Sequence, residues 1–516
     1  MEEQDTTSTR LESRAKQFAQ GFDADDLKRR KDEHGVELRK SKRADLATKR
    51  RNLTLQEKEW ISLNDHYKQH YSLEDLPQLI EAMNSNDSSQ YLFSAQGFRK
   101  MLSLEHDPPI QQVIDAGVVP FLIDWVQHFD HPQLQFEAGW ALTNIASGTH
   151  QHCQVIVEKG AVPLLVKLLE SPNEEVREQA VWAVGNIGGD SAHCRDLVLQ
   201  NNGLHLLIQC ITLTQKQSMV KNGSWALSNL CRGKPGPDWE LVKDAIPVLA
   251  KIVQEQHDVE ILGDCLWALS HLSEGAEHHV DALIETGALP RVIQLMNHHL
   301  YNVQLPSTRT VGNVVTGNTL QTQAALNLGA AQAFSSLLNS PKKNVRKEAV
   351  WSISNVCAGE KEQLEALFGA DVFKRLCNIA YHDEKEIKKE AVWALTNAVA
   401  GGSSDQVARL VQTGVIQALC SLLTQQEAKI VSIALEGTNR VLKCGREYFT
   451  GEDGNNPFCT IMDECGGLEK LEKLQTHPNT HIYEKARKII EEYFEIEQDE
   501  NDQLIQAIKE CSTFSF

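Results

Sequence analysis

Apolar and polar positions along this chain recur in blocks of about 42 residues. The clearest copies are WALTN (Trp140–Asn144), WAVGN (Trp182–Asn186), WALSN (Trp225–Asn229), WALSH (Trp267–His271), RTVGN (Arg309–Asn313), WSISN (Trp351–Asn355) and WALTN (Trp393–Asn397). Their starts lie 42 or 43 residues apart, and one more step lands on a degenerate copy, Glu436–Arg440. A second marker keeps the same step: Gly117-Val-Val-Pro, Gly160-Ala-Val-Pro, Gly203-Leu, Gly287-Ala-Leu-Pro, Gly329-Ala and Gly414-Val, each followed by an apolar run such as Leu164–Leu169. Glycine followed by proline ends one helix and starts another. The segments around each Trp are rich in Ala, Leu, Glu and Lys, which favour helix. Each period therefore predicts two longer helices with a short one between them, the armadillo pattern.

The expected fold is all-α, a right-handed armadillo-repeat superhelix (an α-solenoid) of about ten repeats over residues 73–500, in which each repeat contacts its neighbours and leaves a long concave groove. Residues 1–72 lie outside the periodic region as a flexible basic arm, and residues 501–516 form a tail. The stretch Arg446–Asp463 breaks the period and reads as a loop before the last repeat.

Trp and Asn four apart share one helix face. In register over many repeats they predict two parallel ladders. The plainer alternative is that Trp is core and Asn bridges or caps helices. An Asn amide offers a donor and an acceptor to an extended backbone. Helices packed about 8–10 Å apart match the span of three extended residues, about 10 Å. Trp faces form slots for aliphatic stems and attract a cation, which Lys and Arg supply together. Asp190 follows Asn186 by four residues, while Asp264, Glu348 and Glu390 precede Trp267, Trp351 and Trp393 by three. These acids stand at the slot ends. His271 and Arg309 interrupt the ladder, splitting it into a strong site at Trp140, Trp182 and Trp225, with Asn144, Asn186 and Asn229, and a weaker one at Trp351 and Trp393, with Asn355 and Asn397.

Charge sharpens this expectation. The chain carries a net −19, yet residues 28–51 hold eleven Lys/Arg against four acids, which leaves about −26 for the rest. An acidic body binds basic ligands, its own arm included, and argues against nucleic acid as the main partner. The twelve cysteines are scattered without any Cys-x-x-Cys pair, so neither a disulfide framework nor a metal site is expected, and no cofactor. No run approaches the roughly 18 apolar residues of a membrane span, and the first residues have no apolar signal region. A soluble protein without membrane insertion is the reading. No phosphate loop or nucleophile–base arrangement stands out, so an enzyme is not expected.

With these residues in hand, the whole chain resembles the importin-α (karyopherin-α) family. Leu27–Lys31, Val36–Arg43 and Lys49–Asn52 look like that family's importin-β-binding segment, placed at about residues 10–60. WALTNIASGT, WAVGNIGGD and RTVGNVVTG look like its repeat signatures. The resemblance implies an adaptor that binds cargo proteins with Lys/Arg-rich nuclear localisation signals. Gly148, Gln179 and Asp190 would join the major site. Arg232, Asp264, Arg309, Asn313, Glu348 and Glu390 would join the minor one. Arg29, Arg30, Arg39, Lys40, Lys42, Arg43, Lys49, Arg50 and Arg51 would bind an importin-β receptor, with Lys49-Arg50-Arg51 imitating a cargo signal when no receptor holds the arm. The last repeat would meet an export receptor with Ran-GTP for recycling, and the protein would shuttle between cytoplasm and nucleus. Cys153 departs from the family's Thr and His271 from its Tyr. Gly139, Gly188 and Gly223 stand where a side chain is usual and are expected to loosen their helices slightly. The alternative function is an armadillo scaffold of the adhesion or signalling type, against which the acid-lined groove counts.

Overall fold

The computed structural model describes residues 49–50 and 71–494, apart from residues 86, 105 and 453 and the side chain of residue 88. Arg29, Arg30, Arg39, Lys40, Lys42, Arg43, Arg51 and the tail 501–516 lie outside the described residues. Among those described, the secondary structure is helical and no strand occurs.

The chain divides into two compact units, one ending at Ala288 and one beginning at Leu289. In the first, the long helices of the repeats are α1 (Ser88–Leu102), α2 (Pro132–Ala146), α3 (Glu174–Asp190), α4 (Gln217–Leu230) and α5 (Val259–Leu272), and the ladder begins on α2. In the second they are α6 (Tyr301–Val314), α7 (Lys343–Cys357), α8 (Lys385–Gly401), α9 (Ala428–Tyr448) and α10 (Thr480–Tyr493). Ten such helices give ten repeats among the described residues. Within each unit, each long helix packs on the next, and the shorter helices of its own repeat back it.

The local reasons are visible at the helix ends. Asn173 accepts from the backbone N–H groups of Glu175 and Val176 to start α3, and Asp258 does the same for α5. Such caps are worth about 1 kcal/mol each. Between the shorter helices, Gly117, Gly160, Gly287, Gly329 and Gly414 take left-handed backbone angles, as the marker predicts. In the third copy that conformation falls on Asn202 (φ 65°), and Gly203 is already helical. Asn tolerates the left-handed region better than most residues.

One expectation needs correction. Arg446–Asp463 is not one loop: α9 continues to Tyr448 and a helix resumes at Pro457–Glu464, so the irregular segment is confined to the residues between them. Gly188 and Gly223 also have a packing role that the sequence reading did not give them. A Cβ on Gly188 would lie 2.6 Å from the Leu230 side chain, and one on Gly223 would lie 2.4 Å from that of Ile211. Both glycines let the neighbouring helix approach. Tyr71 is buried and meets Phe93 edge-on, with ring centroids 6.4 Å apart. It therefore packs with the first repeat.

Candidate peptide-binding face

The i, i+4 spacing on α2, α3 and α4 brings Asn144, Asn186 and Asn229 into one row, each buried. Each amide donates into the preceding repeat: Asn144 to Ser103 Oγ (2.9 Å), Asn186 to the Thr143 carbonyl (3.1 Å) and Asn229 to the Gly185 carbonyl (2.9 Å). In the second unit, Asn355 donates to Thr316 Oγ1 (2.7 Å) and Asn397 to the Ser354 carbonyl (3.0 Å). The bridging role and the clamping role were alternatives in the sequence. Asn186 performs both. Its Oδ1 accepts from the Arg50 backbone N–H at 2.9 Å, and its Nδ2 donates to the Arg50 carbonyl at 2.9 Å. An amide nitrogen has two hydrogens, so one bond holds the repeats together and the other holds the Arg50 backbone.

Lys49 and Arg50 fill the adjoining pockets. The Lys49 ammonium donates to the Gly148 carbonyl at 3.0 Å and lies 2.6 Å from Asp190 Oδ1. The other oxygen of Asp190 is 2.6 Å from His150 Nδ1. Both charges of the Lys49–Asp190 pair are largely withdrawn from water, so removing one partner is far more costly than removing an exposed one. The Arg50 guanidinium lies 4.9 Å from the Trp225 ring centroid and 3.1 Å from Asp264 Oδ2. Burial pushes the Asp264 carboxyl up to about 6 against the opposing pull of Arg50. Asp264, expected in the minor site, thus acts here beside the strong-site ladder. Gln179 is buried on α3, where its carbonyl accepts from Thr143 Oγ1, and Arg232 donates to the Gly189 carbonyl at 3.1 Å.

Of the ladder tryptophans, Trp182 is half-buried and the others are buried. Trp182 and Trp225 tilt toward each other with centroids 5.9 Å apart. Two slots are occupied by arginines of the body itself. Arg99 lies 4.6 Å above Trp140 and 2.7 Å from Glu137. Arg309 lies 4.9 Å above Trp351, with Nη1 3.3 Å from both Glu348 oxygens. The acid expected at that slot end is therefore paired within the chain. Arg50 also sets a cation over an indole beside an acid, but its acid, Asp264, comes from the helix after the one that carries Trp225, whereas Glu137 and Glu348 share a helix with their Trp.

Glu137, Ser103, Thr143 and His150 escaped the sequence reading. Glu137 precedes Trp140 by three, so the rule that found Glu348 would have found it. His150 and Ser103 carry no such signal. In the second unit Asn313, Glu390 and Trp393 are buried on α6 and α8. His271 stacks on Trp267 of its own helix, with centroids 6.2 Å apart.

Family profiles match in several places. One described as "Importin beta binding domain" covers residues 14–96, and one described as "Armadillo/beta-catenin-like repeat" matches 106–147, 149–188, 191–232, 318–358 and 361–400. An "Atypical Arm repeat" profile covers 456–507. The chain is 48% identical to "Importin subunit alpha-1b" of Oryza sativa subsp. japonica over 83% of its own length and 80% of that protein. It is 47% identical to "Importin subunit alpha-2" of Arabidopsis thaliana over 96% and 94%. It is also 45% identical to "Importin subunit alpha-B" of Dictyostelium discoideum over 98% of both. A solved engineered protein superposes with a TM-score of 0.72 at 26% identity, covering 81% of this chain and 98% of its own. With repeats, ladder, N-terminal profile and near-full-length relatives in agreement, the chain belongs to the importin-α family of nuclear import adaptors.

Proposed function

We propose that the α2–α5 face is the major cargo site, reading one Lys/Arg-rich localisation signal, and that Lys49-Arg50 occupies it as a built-in signal. The observation that carries this reading is Asn186, which holds both backbone groups of Arg50 while Lys49 meets Asp190. Any extended chain with Lys then Arg in that register makes the same contacts. The Trp351/Asn355 and Trp393/Asn397 pairs form a minor site for cargoes with a second basic cluster, joined by Asn313 and Glu390. The basic residues 28–51 recruit an importin-β receptor, in keeping with the profile over residues 14–96. When that receptor takes the arm, Lys49 and Arg50 leave the face to cargo. Recycling by an export receptor with Ran-GTP and shuttling between cytoplasm and nucleus complete the reading. Binding alone accounts for this arrangement, and no catalytic role is assigned to it.

The test is Asp190→Lys. Losing one partner of a desolvated charge pair costs about 2–5 kcal/mol, and the new lysine adds repulsion. Affinity for a fluorescent Lys-rich signal peptide, measured by anisotropy, should fall at least about a hundredfold with helical content preserved. Unchanged affinity would sink the assignment and favour the scaffold alternative.

A further inference from the structure

The lysine pocket has an unusual floor. Cys153 Sγ, Cys194 Sγ and an Asp190 carboxylate oxygen lie within 4.8 Å of one another, the single such cluster of three candidate ligands among the described residues. Both thiols are buried. The residues come in two pairs at helical spacing. His150 and Cys153 are three apart at the start of the helix His150–Glu158. Asp190 and Cys194 are four apart, at the end of α3 and in the helix Ala192–Gln200 that follows. His150 and Cys153 therefore share one helix face, while the extended Ser191 breaks α3 from the next helix and brings Cys194 back beside Asp190.

We propose that Cys153, Cys194 and Asp190 form a Zn²⁺ site that shares Asp190 with the lysine pocket, with His150, which stands beside Asp190 but outside that cluster, swinging in as the fourth ligand. Two sulfurs, an imidazole nitrogen and a carboxylate oxygen suit a tetrahedral, borderline-soft dication rather than Mg²⁺ or Ca²⁺. Metal–ligand lengths of about 2.3 Å to sulfur and about 2.0 Å to oxygen set a tetrahedral ligand-to-ligand separation of about 3.5 Å. Cys194 Sγ already stands 3.6 Å from Asp190 Oδ2. His150 Nδ1, 2.6 Å from the same oxygen, must turn away from it and toward the sulfurs, and its side chain is exposed enough to do so. On binding, both thiols release their protons to solvent and become thiolates.

The consequence rests on the proposed cargo reading. Asp190 Oδ1 holds the Lys49 ammonium, and Oδ2 faces the thiols and His150. A carboxylate bound to a dication through one oxygen is a weaker acceptor through the other, and the ion adds positive charge beside the ammonium. Zinc and a signal lysine should therefore oppose each other, and the opposition must be reciprocal.

The experiment uses the full chain, reduced and freed of metal. Titration with CoCl₂ should give a thiolate-to-cobalt charge-transfer band saturating near one ion per chain, which ZnCl₂ bleaches. The Cys153→Ser/Cys194→Ser double variant should lose that band while keeping its helical circular dichroism. This variant retains the second thiol pair, Cys420 and Cys465, and so supplies the background. A missing band in the wild-type chain, or an undiminished one in the variant, overturns the site. Saturating ZnCl₂ should also lower wild-type affinity for the Lys-rich peptide at least about fivefold, with no effect in the variant, each protein being compared with itself. Cobalt binding without any change in peptide affinity overturns the coupling. Failure of the peptide to bind without zinc overturns the cargo reading instead, since the cobalt band does not depend on it.

Discussion

At the scale of single residues, the grip on a basic peptide is divided between charges of different character. Asp190 meets Lys49 as a close ion pair at 2.6 Å, whereas Asp264 is a carboxyl that burial pushes up to about 6 even with Arg50 beside it. Arg50 binds the ionised form and pulls the value down, so the empty site must titrate higher still. The sign follows: ligand binding releases a proton, and affinity rises with pH as Asp264 ionises. Peptide affinity should therefore drop as pH falls toward 6, by up to about tenfold per pH unit at the steepest, and level off below that value. Asp264→Asn should flatten that slope while lowering affinity at pH 7. A slope unaltered by the substitution would place the titrating group elsewhere. Asp264 was legible as an acid three before a Trp, but its depth, which makes it pH-sensitive, was not.

At the scale of helices, glycine decides how closely successive repeats approach. A Cβ on Gly185 would lie 2.4 Å from Trp225, and the three nearest atoms are all rigid ring carbons. Gly139, by contrast, has its nearest neighbour at 3.7 Å, an ordinary contact. Replacing glycine by alanine in a helix gains about 1 kcal/mol of propensity, and overpacking costs about 1–3 kcal/mol. The two substitutions should thus have opposite signs. Gly139→Ala should raise the denaturation midpoint, and Gly185→Ala should lower it and weaken peptide binding by displacing the indole over which Arg50 lies. Parallel denaturant titrations of the two variants decide the matter, and equal shifts in one direction would contradict this account. The period, the helices and the Gly markers were all readable because they are local, repeating at 3.6 and about 42 residues. The functions of Gly185, Gly188 and Gly223 were not, because each depends on what a neighbouring segment presents to it.

At the scale of the chain, a strongly acidic body carries a basic arm that holds part of its own binding face. Since Tyr71 packs with the first repeat, a clean removal of the arm ends at residue 70. Deleting residues 1–70 takes away Lys49, Arg50 and the basic stretch 28–51 together. Affinity for a Lys-rich peptide should rise by about tenfold or more at low salt and by less at high salt, because the displaced contact is electrostatic. Binding to an importin-β receptor should be lost in the same protein. Equal peptide affinity with and without the arm would show that Lys49 and Arg50 do not compete with cargo, and retained receptor binding would move that interface to the body.

The sequence by itself determined the repeat, the all-α class, the Trp/Asn ladder and the acidic charge of the body. Each is written in spacing or net charge, and stacked repeats project spacing directly into space. Tertiary structure alone decided which acid meets which base. Glu348 is answered by Arg309, Glu137 by Arg99, and Asp264 by Arg50, each across one repeat or more. It also decided that Asn186 serves packing and peptide at once, and that Cys153 and Cys194, 41 positions apart, share a pocket floor with Asp190. Pairings of this kind depend on the depth and approach of side chains from different repeats, quantities that no one-dimensional pattern encodes.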